Sequence, residues 1–420
     1  MRITYIHQYF RTPAMSGGTR SYEFARRLVQ RGHEVHVITG EPAPGWAGNK
    51  NRTTVESGIV IHWVAVACEN RMSYPRRLMA FARFMRSAAV VALKLEHDLV
   101  FATSTPLTVA VPGALAARRR RVPLVLEVRD LWPELPIALG AIPSRVMRWA
   151  AWRLEAWAYR RSSRIVALSP GMAGSIKRRF PSRIVTTIPN CSDPSFFADA
   201  EHAGAALRSS LPWLQDRPLI LYAGALGLAN GVDYLVRTAA ALAVMFGDAR
   251  VVILGSGRMA DGLREEASRL DILDRNLFML DAVSKNQAKA FFGACDLVVS
   301  TLLRLPQLDT SSPNKVFDGF AAGRPVAVNY GGWIADLIAE SGAGLVLPPD
   351  DTTSAAQAIT DLLTNRAACS RARAAARGLA RERFDRDRQF QRFERVLLEA
   401  ARGAARQTRA ERTRTGVETH

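Results

Sequence analysis

The sequence predicts an α/β protein with two facing, Rossmann-like doubly wound domains, each a parallel sheet covered by helices on both faces. Short apolar segments alternate with amphipathic segments of helix length along most of the chain, which is the pattern of successive βαβ units. The 420 residues are enough for two or three domains, and 48% of them are hydrophobic, so each domain can bury a core. Strands of a parallel sheet are buried on both faces, as these continuous apolar segments require.

The predicted elements follow this alternation from end to end. In the first half, strands are expected at residues 2–7, 34–39, 59–66, 99–102, 123–128 and 164–168, with a helix at 19–31. In the second half, strands are expected at 218–223, 250–254, 297–300, 325–329 and 344–347. They alternate with helical segments at 232–243, 262–270, 287–294 and after Ser312. The two sheets are expected to be joined near residues 192–216.

The charge of the chain is unevenly distributed. The formal net charge is +19, and residues 1–200 carry 29 Lys and Arg against 13 Asp and Glu, a net charge of +16. A surplus made almost entirely of Arg favours contact with phosphate groups of a nucleic acid, a membrane or a substrate, although a GC-rich genome would also enrich Arg. The sequence contains no recognised nucleic-acid reading module, so we expect no nucleic-acid partner.

No targeting segment or membrane-spanning segment is evident in the sequence. No apolar run approaches the roughly 18 residues of a transmembrane helix, and the first residues lack the apolar core of a signal peptide. The four cysteines, which include Cys68, are scattered without metal-ligand spacing. These observations predict a cytoplasmic protein with isolated thiols, no metal and no cofactor.

A cation stands at an unusual place in the segment SSPNKVFDGFAAG, residues 311–323. Ser312 is a good N-cap and Pro313 suits the first helical position. Lys315 then falls in the first turn, where the helix dipole favours anions by about 0.3–1 kcal/mol. Asp318 lies three residues later and shares a face with Lys315. The helix start, with Asn314 between Pro313 and Lys315, is therefore a candidate site for an anionic ligand.

Two glycine loops follow strands of the same half and favour the same ligand. Their glycines are Gly224, Gly227 and Gly231 in the first loop and Gly255 and Gly257, followed by Arg258, in the second. Backbone N–H groups without bulky side chains suit a diphosphate, although flexible turn glycines remain an alternative. With Lys315 for phosphate and Asp318 for ribose hydroxyls, these loops predict a nucleoside-diphosphate site.

The loop between the first strand and its helix is a weaker candidate. Gly17 and Gly18 allow the backbone to approach a ligand, and His7 ends the strand. An ordinary pair of helix-opening glycines explains the same residues equally well.

Six segments together resemble glycosyltransferase family 4, the retaining, nucleotide-sugar-dependent transferases of the GT-B fold. They are SGGTRSYEFARRLVQRGHEVHVITG, VRDLWPE, IPNCSD, YAGALGLANGVDYL, VILGSG and SPNKVFDGFAAGRPVAVNYGG. The resemblance covers most of the chain, and VRDLWPE and SPNKVFD are similar to a bacterial subgroup with fucosaminyl-type transferases of O-antigen and capsule synthesis.

The resemblance implies a donor, an acceptor and a domain plan. The donor is a nucleotide sugar, most commonly a UDP-sugar such as an N-acetylated amino sugar, and the acceptor is a glycan or a polyprenyl-diphosphate-linked glycan. Residues 1–200 would form the acceptor-binding domain and 201–385 the donor-binding domain. A helix at 386–401 would pack back on the first domain, before a basic, disordered tail at 402–420.

The chain departs from the family pattern at four positions. The first of the two usual acidic residues falls on Thr310, and the usual Arg and Lys beside the glycine loop fall on Ala225 and Asn230. The usual histidine of the first domain falls on Arg129. A nucleotide-sugar epimerase and a catalytically inactive partner protein are therefore kept as alternatives to a transferase.

The loop VRDLWPE is the candidate for catalysis because it follows the apolar strand at 123–128. Arg129, Asp130 and Glu134 are positioned there to orient an acceptor hydroxyl or to stabilise charge at the sugar carbon. The alternative is a structural Arg129–Asp130 ion pair with Trp132 as packing. The resemblance implies no agreed nucleophile, and the suggested mechanism is front-face displacement.

Two basic stretches with aromatic or apolar residues suggest contact with an anionic membrane. They are residues 71–95 and residues 147–161, and the second contains Trp149, Trp152 and Trp157. The alternative is a pair of helices packed on the sheet with Arg on the solvent face. A peripheral position on the inner face of the cell membrane is the corresponding expectation.

Overall fold

The computed structural model describes residues 1–41, 50–67, 72 and 74–415, with backbone alone for 67, 74, 75 and 406–415. Cys68 and the beginning of the basic stretch at 71 lie outside the described residues. The chain divides into two compact units: Met1–Phe10, Arg20–Ile188 and the chain from Phe390 form the first, and Arg11–Thr19 with Pro189–Gln389 form the second. Each unit is a doubly wound α/β fold, so the predicted fold class is confirmed. The division at Ile188 precedes the expected boundary at residue 200.

The first unit contains one eight-stranded sheet. Its strands and helices are β1 (Arg2–Ile6), α1 (Arg20–Gln30), β2 (Glu34–Glu41), β3 (Arg52–Glu56), β4 (Ile59–Ala67), α2 (Tyr74–Lys94), β5 (Leu99–Thr103), α3 (Ala110–Arg120), β6 (Leu124–Val128), α4 (Glu134–Ala138), α5 (Arg145–Arg161), β7 (Arg164–Ala167), α6 (Pro170–Arg179) and β8 (Val185–Thr187). The order is β3-β4-β2-β1-β5-β6-β7-β8, and all pairs are parallel except β3 with β4. The sequence did not predict β3, since its polar residues lie on an edge strand without an apolar run.

The switch point of this sheet lies between β1 and β5. Ile6 pairs with Ile38 on one side and with Ala102 on the other, so the connections from β1 and β5 leave in opposite directions. Ligands bind at such points outside the carboxyl ends of the strands. The loop after β6 is therefore at the functional edge of the first unit, while Gly17 and Gly18 belong to the second unit.

The second unit contains a six-stranded, entirely parallel sheet. Its elements are α7 (Ala200–Ser210), β9 (Leu219–Ala223), α8 (Asp233–Met245), β10 (Arg250–Leu254), α9 (Ala260–Arg269), β11 (Leu277–Leu280), α10 (Lys285–Ala294), β12 (Leu297–Ser300), α11 (Asn314–Ala321), β13 (Val326–Val328), α12 (Trp333–Ser341), β14 (Gly344–Val346), α13 (Thr352–Thr364) and α14 (Arg366–Glu382). The order β11-β10-β9-β12-β13-β14 places the switch point between β9 and β12. The first glycine loop follows β9 directly.

The last helix, α15 (Arg386–Thr415), belongs to the first unit from Phe390 onward. There the ring centroid of Phe393 lies 4.8 Å from that of Phe24 and 4.9 Å from that of Phe101, and Phe390 packs 6.0 Å from Phe24. The helix continues beyond residue 401 to Thr415. The prediction of a disordered segment is therefore wrong for residues 402–415, while 416–420 lie outside the described residues.

Candidate active site

The two glycine loops of the second unit pack directly against each other. The Gly224 N–H donates to the Leu254 carbonyl (2.9 Å). A Cβ placed on Gly255 would lie 1.9 Å from the Gly224 carbonyl oxygen, and one on Gly257 would lie 2.4 Å from that of Leu226. Only glycine permits such an approach of two backbones. Packing between the loops thus requires Gly255 and Gly257, whether or not they contact a ligand.

The rest of the first loop is more open. Gly227 has its nearest neighbour, the Asn230 side chain, 3.4 Å from the position of a Cβ, and Gly231 has the left-handed φ of 53°. No side chain caps the start of α8. The N–H groups of Asn230, Gly231 and Tyr234 donate to backbone carbonyls, so the open part of the loop, where a diphosphate has room, is around Gly227. Arg258, after the second loop, has an exposed side chain.

Lys315 extends beneath this loop. Its Nζ lies 3.7 Å from the ring centroid of Tyr222 and would be 3.0 Å from a Cβ on Gly224. The residue is only 8% exposed, and burial lowers the pKa of Lys315 to about 7. Among the described residues, no carboxylate pairs with this ammonium. The fold thus holds a desolvated cation, without a counter-ion, at the carboxyl end of β9.

The Asp318 carboxylate contacts other residues than those that surround Lys315. Lys285 Nζ donates to its Oδ1 (2.9 Å), and the Ser192 hydroxyl donates to the same oxygen (2.6 Å). Both hydrogen bonds end on Oδ1, so Oδ2 is the oxygen that can accept from a ligand hydroxyl. The expected common face of Lys315 and Asp318 does not bring the two side chains together, since each is held by other residues.

Sequence reasoning missed Lys285, although a signal was present. Ser284 forms a capping box with Gln287 at the start of α10, which fixes Lys285 in the first turn. A cation at that position is unfavourable in the same way as Lys315. Two helices of the second unit thus carry a lysine in their first turn.

The start of α11 differs from the sequence prediction. The helix begins at Asn314 with Pro313 as N-cap, and no side chain caps it. The Ser312 hydroxyl instead accepts from the Asn190 backbone N–H (3.1 Å). The prediction of Ser312 as the N-cap is therefore wrong. The Ser312 hydrogen bond connects the segment IPNCSD to the residues before the helix. Asn314 lies against Gly18, where a Cβ would be 2.7 Å from its Nδ2.

The loop after β6 in the first unit positions Arg129 and Asp130 separately. The Arg129 guanidinium lies 3.4 Å from His7 Nε2. The backbone N–H of Arg129 donates to Ser104 Oγ (3.0 Å). The Asp130 carboxylate accepts from Thr105 Oγ1 (2.8 Å). The alternative Arg129–Asp130 ion pair is therefore not formed in the described part of the unit.

Glu134 has a more structural environment than expected. Its carboxylate lies 3.4 Å from Arg179, which also binds the buried Glu155 through two hydrogen bonds. Burial raises the pKa of Glu155 to about 7. Among the three predicted catalytic residues, Glu134 thus forms an ion pair with Arg179 that connects α4 with α6.

A fully buried ion pair supports the β6 loop from below. Arg20, the first residue of α1, donates to Glu127 Oε1 from Nε (3.1 Å) and Nη2 (2.9 Å). Thr103 donates to Glu127 Oε2 (2.6 Å), and Glu127 has no exposed surface. The sequence signal was a lone carboxylate inside the apolar strand LVLEV, which a buried position allows only with a partner.

Neither a metal cluster nor a spanning helix is found in the part of the chain that the structure describes. Its histidines, cysteines and carboxylates form no group of three that could bind a metal ion. Its helices include none with the length and apolarity needed to cross a bilayer.

Two family models match the chain in succession. Glycosyltransferase Family 4 matches residues 17–196, and Glycosyl transferases group 1 matches residues 217–365. The first match includes the loop after β6, and the second includes both glycine loops and the start of α11.

Curated relatives and solved structures agree with these matches. The D-inositol 3-phosphate glycosyltransferase of Stackebrandtia nassauensis is 26% identical over 87% of this chain and 82% of its own length. The probable glycosyltransferase WbjE of Pseudomonas aeruginosa is 23% identical over 70% and 73%. The α-D-kanosaminyltransferase of Streptomyces kanamyceticus is 25% identical over 59%, and the match spans 63% of that relative. The structure of Anabaena HepE in complex with UDP-glucose has a TM-score of 0.69 at 18% identity, covering 95% of this chain and 100% of that chain.

Proposed function

We propose that the chain is a family 4 glycosyltransferase and that it transfers a sugar from a UDP-sugar, with retention, to a glycan or lipid-linked glycan in cell-surface polysaccharide synthesis. The observation that carries the donor part is Lys315, a buried ammonium under the glycine loop that has no counter-ion among the residues that the structure describes. A diphosphate supplies the missing negative charge, and the loop supplies N–H donors. HepE, which is similar in fold, is described with UDP-glucose, which supports UDP as the carrier.

Lys315 also accounts for the two cations that the family pattern places beside the glycine loop. Ala225 and Asn230 cannot neutralise phosphate, but Lys315 reaches the same loop from the start of α11. We infer that the cation has moved to another element while its position next to the loop is kept. This argues against the inactive partner protein, for which a costly buried lysine would have no use.

The acceptor part of the proposal rests on the first unit. Asp130 orients the acceptor hydroxyl, and Arg129, which lies beside His7, places positive charge at the same edge of the sheet. The leaving diphosphate deprotonates the acceptor on the front face, so no protein nucleophile is required. The resemblance of VRDLWPE and SPNKVFD to fucosaminyl-type transferases supports an amino sugar and a surface polysaccharide.

A donor panel tests the proposal. The protein is incubated with UDP-, GDP- and dTDP-sugars and a glycolipid extract, and released nucleoside diphosphate is measured with and without the extract. We expect UDP release that depends on the extract. Release of UDP with free or isomerised sugar and no glycolipid product would instead support the epimerase alternative.

Binding of the nucleotide should not require a divalent metal. Lys315 and the loop N–H groups supply the charge that a metal supplies in other transferases. Calorimetry should therefore give the same Kd for UDP in excess EDTA as in Mg²⁺ or Mn²⁺. Binding that appears only with added metal would contradict this assignment of the phosphate site.

Lys285 should act on the donor through Asp318. Replacing Lys285 by Met removes one of the two donors that hold the Asp318 carboxylate, so UDP should bind about tenfold more weakly, or 1–2 kcal/mol. The matched control is Lys289→Met on the same helix, because Lys289 pairs with the exposed Asp199. In an Asp318→Asn background the Lys285 effect should disappear. Equal losses in both backgrounds would mean that Lys285 acts independently of Asp318.

A further inference from the structure

An arginine-lined groove lies on the first unit, away from the loop that carries Asp130. It has a volume of about 690 Å³ and is bounded by the last turns of α3 and α5 and by residues 182–184. Its arginines are Arg118, Arg121, Arg160, Arg161 and Arg183, and its lining includes no carboxylate. We call these residues the arginine groove. A neighbouring depression of about 600 Å³ shares Arg160 and Arg161 and extends along α5.

The positive charge of the arginine groove exceeds what the helices need. The C-termini of α3 and α5 end there, and two helix ends carry roughly one negative charge together. Arg183 already serves this purpose, because it donates to the carbonyl oxygen of Arg160 (3.1 Å). The other four arginines make no ion pair among the described residues, and all four are exposed. Clustered like charges of this kind fit an anionic ligand.

Exposed apolar side chains continue the surface along α5. Val146, Trp149, Arg153, Trp157 and Arg160 follow at helical spacing and form one stripe. Trp149 is 65% exposed and Val146 is 74% exposed, and the Arg153 guanidinium lies 5.8 Å from the Trp149 ring. Exposed Trp beside Arg is typical of a protein face that enters the headgroup layer of a membrane.

The other two tryptophans of α5, Trp152 and Trp157, are less exposed than the sequence suggested. Trp152 is covered by Arg179, whose guanidinium lies 4.3 Å from its ring. Trp157 is half-buried and packs against the core of the first unit. Their replacement would disturb packing, so Trp149 is the residue that isolates an interfacial contribution.

We propose that the arginine groove and the exposed stripe of α5 bind an anionic phospholipid bilayer, with headgroup phosphates in the groove and Trp149 at the level of the acyl boundary. Arginine guanidinium groups bind phosphate oxygens in pairs, which the five arginines can do for several headgroups. Helix α5 has 17 residues and is thus about 25 Å long, and it begins shortly after the loop that carries Asp130. The bilayer therefore lies along the flank of the first unit, within reach of its functional edge. This inference is independent of the proposed transfer reaction.

The test compares vesicle binding of the full chain and of two charge-matched variants. Vesicles contain phosphatidylcholine alone or phosphatidylcholine with phosphatidylglycerol at 3:1, and binding is measured by flotation at low and high salt. The groove variant carries Arg118→Gln, Arg121→Gln, Arg160→Gln and Arg161→Gln. The control carries Arg269→Gln, Arg366→Gln, Arg371→Gln and Arg381→Gln, which are exposed arginines of the second unit.

We expect the parent and the control to bind only the phosphatidylglycerol vesicles and to be released at high salt. The groove variant should bind at least about fiftyfold more weakly, because each arginine near an anionic surface contributes about fivefold. Trp149→Ala should weaken binding several-fold and leave its salt dependence unchanged. UDP affinity and thermal unfolding should be the same in all variants, since the changed residues are exposed and outside the nucleotide site.

Three results would overturn the proposal. The first is equal vesicle binding by the groove variant and the control. The second is equal binding of neutral and anionic vesicles by the parent. The third is a loss, in the groove variant, of binding to a single-stranded RNA while no chain binds vesicles, since the groove would then serve a nucleic acid.

Discussion

Replacing Lys315 by Ala is expected to weaken binding of UDP and of a UDP-sugar about tenfold to a hundredfold, while uridine binding changes little. A charged hydrogen bond to phosphate contributes on the order of 1.5–3 kcal/mol to binding. Uridine has no phosphate and does not form this bond, so its binding does not depend on it. Isothermal calorimetry with the three ligands measures the difference. Equal losses for uridine and UDP would show that Lys315 shapes the site rather than binding phosphate.

The same affinity should depend on pH in a defined direction. Burial lowers the pKa of Lys315 to about 7, so the side chain of the free protein is charged below pH 7 and neutral above it. The tyrosines near it stay neutral throughout, because burial raises the pKa values of Tyr222 and Tyr330. Affinity for a UDP-sugar, whose phosphates stay ionised, should be constant below about pH 6.5 and fall above 7, by up to about tenfold per unit. Lys315→Arg should flatten this curve, since arginine remains charged.

A third variant separates binding from folding at this residue. A lysine whose pKa is lowered in the folded state binds fewer protons than in the unfolded state, so its burial costs stability at neutral pH and the cost fades as pH approaches 10.5. Lys315→Met should therefore raise the unfolding temperature of the ligand-free protein at pH 7 while it weakens UDP binding. A variant that is both less stable and weaker in binding would point to a damaged site.

Lys315 was predictable from the sequence because its signal is local. A cation in the first turn of a helix contradicts the dipole, and that conflict made Lys315 a candidate, whose contact with phosphate stays a prediction. Lys285 carries the same conflict but was not recognised, since the helix was expected to begin at residue 287 and in fact begins at Lys285. Its role depends on Asp318, which is brought to it by the fold across 33 residues.

The positions of the two glycine loops after β9 and β10 were predicted correctly, but ligand binding is not the only reason for their glycines. Gly255 and Gly257 have the spacing of ligand-binding glycines, yet the approach of the two loops alone excludes a side chain at either position. Backbone proximity between β9 and β10 cannot be read from either loop separately. The polar sequence beyond residue 401 was interpreted as disordered, although α15 continues through it to Thr415, because polarity alone does not exclude a helix extended from a packed one.

The buried Arg20–Glu127 pair lies furthest from sequence reasoning, since its members are separated by 107 residues. Its loss should have the largest effect on stability of any single change considered. Glu127→Gln leaves the Arg20 guanidinium buried without a counter-charge, which costs about 3–5 kcal/mol. The unfolding temperature of the first unit should fall by roughly 6–20 °C, as measured by circular dichroism.

The double replacement Arg20→Met with Glu127→Leu is the control for this prediction. It removes both charges together, so much of the lost stability should return, because apolar residues of similar volume commonly replace a buried ion pair without cost. Transfer activity should nevertheless stay low in both variants, since Glu127 lies two residues before Arg129 and its bonds to Arg20 and Thr103 fix the end of β6 that presents Asp130. UDP affinity should be unchanged, because the nucleotide site is formed by the second unit. Full activity in the double variant would show that the ion pair stabilises the sheet without positioning the loop.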